Sequence, residues 1–364
     1  MRNHQNSQLA TYFTSLIGAA GLAFAVFAAP FPASAQSSLK GQTVNLVIGF
    51  PPGSSDDLGM RQLKPFLESH LPGKPTVAII NKPGAGGILA VNSFYQTAKG
   101  DGKTIGMFTG VTLKVAIKDK SVRFDINKMH LLGIQPTNQV TLLHKDTGVK
   151  TAADLLKVKK ALLVGTSSKR AAPFTANVSF FNMLGIPHKD LTGYRGQGEL
   201  LQAARAKELN VVPLAWVRYM ANKEQLKKEG LLTAIYQRGY LLGDGSVVPE
   251  PALGVPTQHE LIKRFAPDKV GSAEYKAMTT FVGIFATGRS FWLPPSAPEG
   301  VRSMWRKALA ATYGDPKYRA LMKKRTKMDV VFHDPKNGRN LLNTVIDSFQ
   351  DPVIRKVIDQ IMAK

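Results

Sequence analysis

The chain has 364 residues, 44% of them hydrophobic and 20% charged, with 48 Lys and Arg against 25 Asp and Glu for a formal net charge of +23. That length and balance exclude a disordered or fibrous chain and suffice for two globular lobes with separate cores. The absence of cysteine excludes disulfides, thiolate metal sites, a cysteine nucleophile and a lipid-bearing N-terminal cysteine.

Residues 1–35 read as a secretory leader. Arg2 opens them, an apolar stretch of 14 residues runs from Leu16 to Ala29, and Ala33-Ser34-Ala35 forms a small-x-small cleavage site ahead of Gln36. An uncleaved anchor is the alternative, but this stretch is shorter than the ~20 residues that span a bilayer. Cleavage leaves 47 Lys and Arg against 25 Asp and Glu, a net +22. The excess is scattered (Lys157, Lys159, Lys160; Lys227, Lys228; Lys323, Lys324, Arg325, Lys327) at spacings that suit solvated helix faces, so no nucleic-acid partner is expected. Attraction of anionic solutes or anionic membrane surfaces is the milder inference. No later segment is long and apolar enough to cross a membrane, and a free periplasmic protein is the expectation.

In chain order, Val44, Leu46, Val47, Ile48 and Phe50 predict a buried strand over 43–50 that stops at Pro51-Pro52-Gly53. Ser54, Ser55 and Asp56 supply N-cap side chains for a helix carrying Leu63, Phe66, Leu67 and Leu71, with a kink expected at Pro65. A strand over 76–80, a glycine-rich turn over 81–87, a helix with Ile88, Val91, Phe94, Tyr95 and Ala98, and a strand over 105–108 follow. Strand, helix, strand, helix, strand implies parallel pairing with right-handed crossovers.

A second set predicts a strand over 140–144, a helix opened by the capping box Thr151-x-x-Asp154, a strand over 161–165 and a helix ending at Leu184-Gly185. A loop over 193–198, a helix over 199–206, a strand over 211–214 and a helix around 217–228 complete a second α/β lobe. The tail reads as helices over 299–311, 316–324, 338–348 and 351–363, the last with Asp351 as N-cap. Residues 236–280, rich in Gly, Pro and charge, read as a crossover or peripheral elaboration.

The loops 53–57 and 83–87 both lie between the end of a strand and the start of a helix, the edge where open parallel sheets bind ligands. Glycine lets the backbone approach a ligand, and uncovered N–H groups with the helix dipole favour an anion. Any such turn also favours Gly, Ser and Asp for geometry and capping alone. Two on adjacent strands form a pincer suited to a planar carboxylate.

The strings Val47-Ile48-Gly49-Phe50-Pro51-Pro52-Gly53-Ser54-Ser55-Asp56 with Arg61, and Ile80-Asn81-Lys82-Pro83-Gly84-Ala85-Gly86-Gly87, resemble the paired signatures of the tripartite tricarboxylate transporter receptors, or Bug receptors. Gly100-Asp101-Gly102-Lys103-Thr104, Gly193-Tyr194-Arg195-Gly196 and Val282-Gly283-Ile284-Phe285-Ala286 with 294–298 follow in family order. The resemblance implies an α/β, two-lobed periplasmic binding protein of type II, each lobe a mostly parallel sheet flanked by helices. Its expected organisation is leader 1–35, first lobe 36–140 plus 250–364, and second lobe 141–249. It further implies no catalysis and no cofactor, a small carboxylate as ligand, membrane transporter subunits as partners, and a monomer. The ligand-binding residues carried over are Phe50, Gly53, Ser54, Ser55, Gly84, Ala85, Gly86 and Gly87, with Ser167, Ser168, Lys169, Arg170 and Tyr194 from the second lobe. Asp56 is expected to cap the helix, because a carboxylate would repel the ligand. Ser54 stands where the family often has a second glycine, and Thr166-Ser167-Ser168-Lys169-Arg170 replaces an expected glycine-rich turn. Lys169 and Arg170, just ahead of a helix, are expected to face a second ligand carboxylate or else to point to solvent.

Other classes fare worse on motif. Gly102-Lys103-Thr104 ends like a phosphate-binding loop, but Thr97 occupies the required first glycine position, and Leu89 stands at the third glycine of a dinucleotide fingerprint. There is no Gly-x-Ser-x-Gly or His-Glu-x-x-His. A ligand sensor serving a signalling partner needs the same clamp as a transport receptor and remains the alternative, with an exported α/β enzyme behind it.

Overall fold

The computed structural model describes residues 39–169, 171–241 and 245–363; the leader expected over 1–35 and Arg170 lie outside the described residues. The chain begins with β1 (Thr43–Ile48), α1 (Ser55–His70), β2 (Thr76–Asn81), α2 (Ile88–Thr97), β3 (Thr104–Phe108), α3 (Val111–Ala116) and β4 (His130–Gln135). It crosses to β5 (Gln139–His144), β6 (Leu162–Gly165), α4 (Ala172–Met183), β7 (His188–Leu191), α5 (Gln197–Arg205), β8 (Val211–Ala215), α6 (Trp216–Glu229) and β9 (Leu232–Gln237). A small hairpin of β10 (Tyr240–Leu241) and β11 (Val247–Val248), then α7 (Gln258–Phe265) and α8 (Ala273–Ala286), lead back to β12 (Arg289–Leu293). The tail is α9 (Glu299–Gly314), α10 (Pro316–Thr326), α11 (Pro335–Ser348) and α12 (Pro352–Ala363).

The first sheet has the order β2-β1-β3-β12-β4 and the second the order β7-β6-β8-β5-β9. In each the first three strands are parallel, and the fourth, β12 or β5, runs against both neighbours. Each lobe is therefore a mixed sheet in which one strand opposes the rest. The odd strand is in each case the one that has just crossed from the other lobe, so the two lobes share one plan.

Strand alternation puts Leu46 and Ile48 on one face of the first sheet, against Leu63, Leu67 and Trp305, and Val47 on the other, against Val91, Phe94 and Leu342. In the second sheet Leu143 and Val164 pack with Phe180 and Tyr236, while Leu142 and Leu214 pack with Leu201 and Leu226. The capping box at Thr151 forms, but it opens a 3₁₀ helix over Ala152–Lys157. The helix α1 runs unbroken through Pro65.

Strands β4, β7, β9 and β12, and the short pair β10 and β11, escaped the sequence reading. Nor is the stretch 236–280 simply peripheral: Leu261, Ile262 and Met278 enter the core of the second sheet, and Ala277 joins Leu113, Ala172 and Ile358 in a layer that touches both lobes. The two crossings lie side by side at residues 136–138 and at Gly288, where a Cβ would stand 2.8 Å from the Gln135 carbonyl oxygen. Among the described residues no helix is long and apolar enough to cross a membrane.

Candidate functional site

At the C-terminal edge of the first sheet, β1 delivers the chain to Phe50 and the two prolines that end it. Gly53 then turns at φ +76° and Ser54 caps α1, its Oγ accepting from the Asp57 amide at 3.3 Å. Asp57 organises this loop. Its Oδ2 accepts from the Gly53 amide and from Arg61 Nε, both at 2.9 Å, and its Oδ1 accepts from Asn81 Nδ2 at 3.2 Å. Burial alone would raise the Asp57 carboxyl, but the hydrogen bonds from Arg61, Gly53 and Asn81 and the charge of Arg61 outweigh it and hold the group below its ordinary value. The same Asn81 amide donates to the Phe50 carbonyl at 2.8 Å, which ties the second loop to the first.

Asp56 does not cap the helix. It is buried at 4% exposure and accepts from Arg289 Nε at 3.1 Å, while Arg289 Nη2 donates to the Ser55 carbonyl at 2.7 Å and Nη1 to Gln135 Oε1 at 3.3 Å. Arg289 opens β12 and Gln135 closes β4, so the first loop is anchored to both strands that border the crossings.

The second loop carries four successive residues at positive φ: Gly84 at 145°, Ala85 at 47°, Gly86 at 66° and Gly87 at 93°. Ala85 takes this conformation against the preference of an L-residue. A Cβ on Gly49 would lie 2.7 Å from the Gly87 Cα, so the two loops are in backbone contact that only glycine permits. With the Gly53 and Gly87 amides already donating, the amides of Ser55, Asp56, Ala85 and Gly86 have no acceptor among the described residues. A pair of adjacent loops with uncovered N–H groups, one at the N-terminus of a 16-residue helix, suits an anion. Beside them, Thr109 follows β3 with its hydroxyl buried and unpartnered. The sequence reading missed it, having stopped at the strand.

In the second lobe the loops after β6 and β7 are joined by the Gly193 amide, which donates to the Ser167 carbonyl at 3.3 Å. Ser167, Ser168 and Lys169 are exposed. Burial raises the Asp190 carboxyl, and the charges of His188 and Lys169 oppose that rise, which places Lys169 beside the outer strand β7. Tyr194 packs partly against the lobe's own core, with Leu200 and Leu209.

A described second-lobe side chain that reaches the first loop is Arg218. Standing in the first turn of α6, it donates through Nη1 to the Gly53 carbonyl. A cation at a helix N-terminus was the signal that singled out Lys169 and Arg170, and it applies equally to Arg218.

Among solved structures, the periplasmic binding protein BugD is similar with a TM-score of 0.62 and 19% identity, over 87% of this chain and 96% of its own. MatC from Rhodopseudomonas palustris, solved with bound malate, has a TM-score of 0.59 and 16% identity, over 88% and 98% of the two chains. R. palustris Rpa4515, solved with adipate, has a TM-score of 0.66 and 16% identity, over 87% and 97%. The fold is that of a two-lobed periplasmic binding protein. No protein-family model matches the sequence, and no curated protein matches it. In such a fold the strand ends of both lobes border one cleft, which is where the Gly53 and Gly84 loops and Arg218 lie.

Proposed function

We propose that this chain is an exported solute receptor of the tripartite tricarboxylate transporter type, which captures a small carboxylate between its lobes and passes it to membrane transporter subunits. The observation that carries the reading is the pair of loops 53–56 and 84–87, brought together by the Gly49–Gly87 backbone approach, whose Ser55, Asp56, Ala85 and Gly86 amides have no acceptor among the described residues. Backbone N–H groups fixed by Asp57, Asn81 and the Gly49–Gly87 contact bind a carboxylate without bringing a counter-charge or a nucleophile to it. The site thus serves capture and release rather than catalysis. Malate and adipate, named with similar folds, set the size of the first ligands to try.

A thermal-shift series of malonate, succinate, malate, glutarate, adipate and benzoate tests this. A true ligand at 100 times its dissociation constant adds about 2.7 kcal/mol of stability. A series in which no carboxylate moves the transition overturns the reading. Export is tested separately: protein recovered from the periplasm begins at Gln36, and recovery with Met1 intact would overturn cleavage at Ala35.

A further inference from the structure

Arg218 sits between the lobes with its charge uncompensated. No Asp or Glu among the described residues pairs with it; burial lowers its pKa, and the charge of Arg205 lowers it further. Such a group is costly to cover unless an anion meets it. Its donors are also divided in a particular way. Nη1 is taken by the Gly53 carbonyl, while Nε is buried with no partner. The edge left over, Nε with Nη2, is the side of the guanidinium fork that matches the two oxygens of a carboxylate. Gly198 of α5 lies against this edge, and a Cβ there would stand 3.0 Å from Nη2.

Resting on the carboxylate-binding reading above, we propose that Arg218 is the second lobe's specificity residue. It takes the distal carboxylate of a ligand whose first carboxylate lies on the 53–55 and 84–87 amides, and so selects dianions over monoanions. Its bond to the Gly53 carbonyl fixes the guanidinium across the cleft, so the second carboxylate meets an oriented fork.

Calorimetry with each dicarboxylate from malonate to adipate, paired with the monocarboxylate of equal chain length, tests the assignment. In Arg218→Gln the dicarboxylate that binds wild type best loses about 10- to 150-fold in affinity, as expected for one charge-assisted hydrogen-bonded contact, and its monocarboxylate partner changes little. Arg218→Lys, which keeps the cation and loses the fork, falls between wild type and Arg218→Gln. Lys227→Gln, on the exposed side of the same helix, leaves both affinities unchanged. A di-to-mono ratio that Arg218→Gln leaves unaltered, or an equal loss for both ligands, overturns the assignment and makes Arg218 a bridge between lobes only. Failure of wild type to bind any member of either series overturns the carboxylate reading itself.

Discussion

The two lobes repeat one strand plan, yet their ligand-facing loops are held very differently. The loop after β1 is bonded into its own helix by Asp57, to the neighbouring strand by Asn81, and to the returning strand by the buried Asp56–Arg289 pair. The matching loop after β6 is joined to its neighbour by the Gly193-to-Ser167 backbone bond and presents exposed Ser167, Ser168 and Lys169. A loop whose work is done by its own amides has to be rigid before the ligand arrives, because any ordering left to the binding step is subtracted from affinity. One that presents side chains can adapt. The contrast separates a first-lobe loop anchored to its helix and to two strands from a second-lobe loop that leaves three side chains exposed.

The most direct way to break that comparison is to remove the anchors. Asp56→Ala leaves Arg289 charged and buried at 2% exposure, and should cost about 3–5 kcal/mol in urea denaturation. Replacing both partners, Asp56→Leu with Arg289→Met, should recover much of that loss, because a well-packed apolar pair avoids the desolvation of two charges. Asp190→Ala, the nearest equivalent beside the second-lobe loop, should cost under about 1 kcal/mol. Equal losses at Asp56 and Asp190 would show that the first loop is no more firmly built than the second.

Acid should weaken the lobes at different pH. His259 of α7 belongs to the second-lobe side, where burial, with the charge of Lys263 adding to it, pulls its pKa from 6.5 down to about 4. Between those values the unfolded chain binds a proton that the folded chain refuses, so stability rises with pH across the window and is lost on acidification. The loss from pH 7 to 4 is on the order of 3 kcal/mol, and His259→Gln should flatten that slope. Asp57 behaves otherwise: its depressed folded pKa gives stability that is present above 3.8 and lost only as pH falls further, through the folded value. Burial lowers the pKa of His333, bridged to Ile134 of the first sheet, in the same direction, so hydrogen exchange at pH 5 in a His333→Gln background should show the second lobe opening first. Uniform loosening of both lobes at that pH would contradict the assignment.

Closer to the cradle, Gly49→Ala would place a Cβ 2.7 Å from the Gly87 backbone, where no side chain can swing away. A cost of about 1–3 kcal/mol is expected, as for other overpacked sites, with weaker carboxylate binding because the loops are forced apart. Gly86→Ala is a milder probe. Its Cβ would meet nothing nearer than Lys114 Cε at 4.0 Å, and only the φ of +66° resists it.

Much of this contrast was legible in the sequence on the first-lobe side. There, strand, glycine turn and capping residues follow one another locally, and Pro51-Pro52-Gly53 and Pro83-Gly84 mark where the strands end and the loops begin. Apart from β7, which pairs with the preceding β6, the longer strands that escaped depend on distance along the chain. Strands β4, β9 and β12 pair with partners far away in sequence, and β12 reveals itself only by antiparallel pairing with β3 and β4. Asp56 reads locally as a capping residue because nothing near it announces Arg289, 233 residues away. Arg218 was hidden for the same reason: its contact, Gly53, is 165 residues off, whereas Lys169 and Arg170 stood beside a recognisable turn.

The smallest expected effect concerns Ser54, where the first-lobe loop departs from the glycine common in the resembling family. Its Oγ accepts from the Asp57 amide at 3.3 Å, a long hydrogen bond, yet the residue holds the extended φ of −65° and ψ of 166° of an N-cap. Ser54→Ala removes the acceptor and should cost about 1 kcal/mol, towards the low end because the bond is long. Ser54→Gly should cost only a few tenths, since glycine is itself tolerated as an N-cap. If the serine does no more than cap, both variants bind carboxylates as wild type does. If its hydroxyl also donates to the ligand, both lose affinity together while differing in stability. Titrating the two variants alongside their urea curves separates these cases, because capping tracks the stability difference between Ala and Gly and ligand donation does not. A matched loss of affinity in both would move Ser54 from the scaffold of the cradle into its donor set.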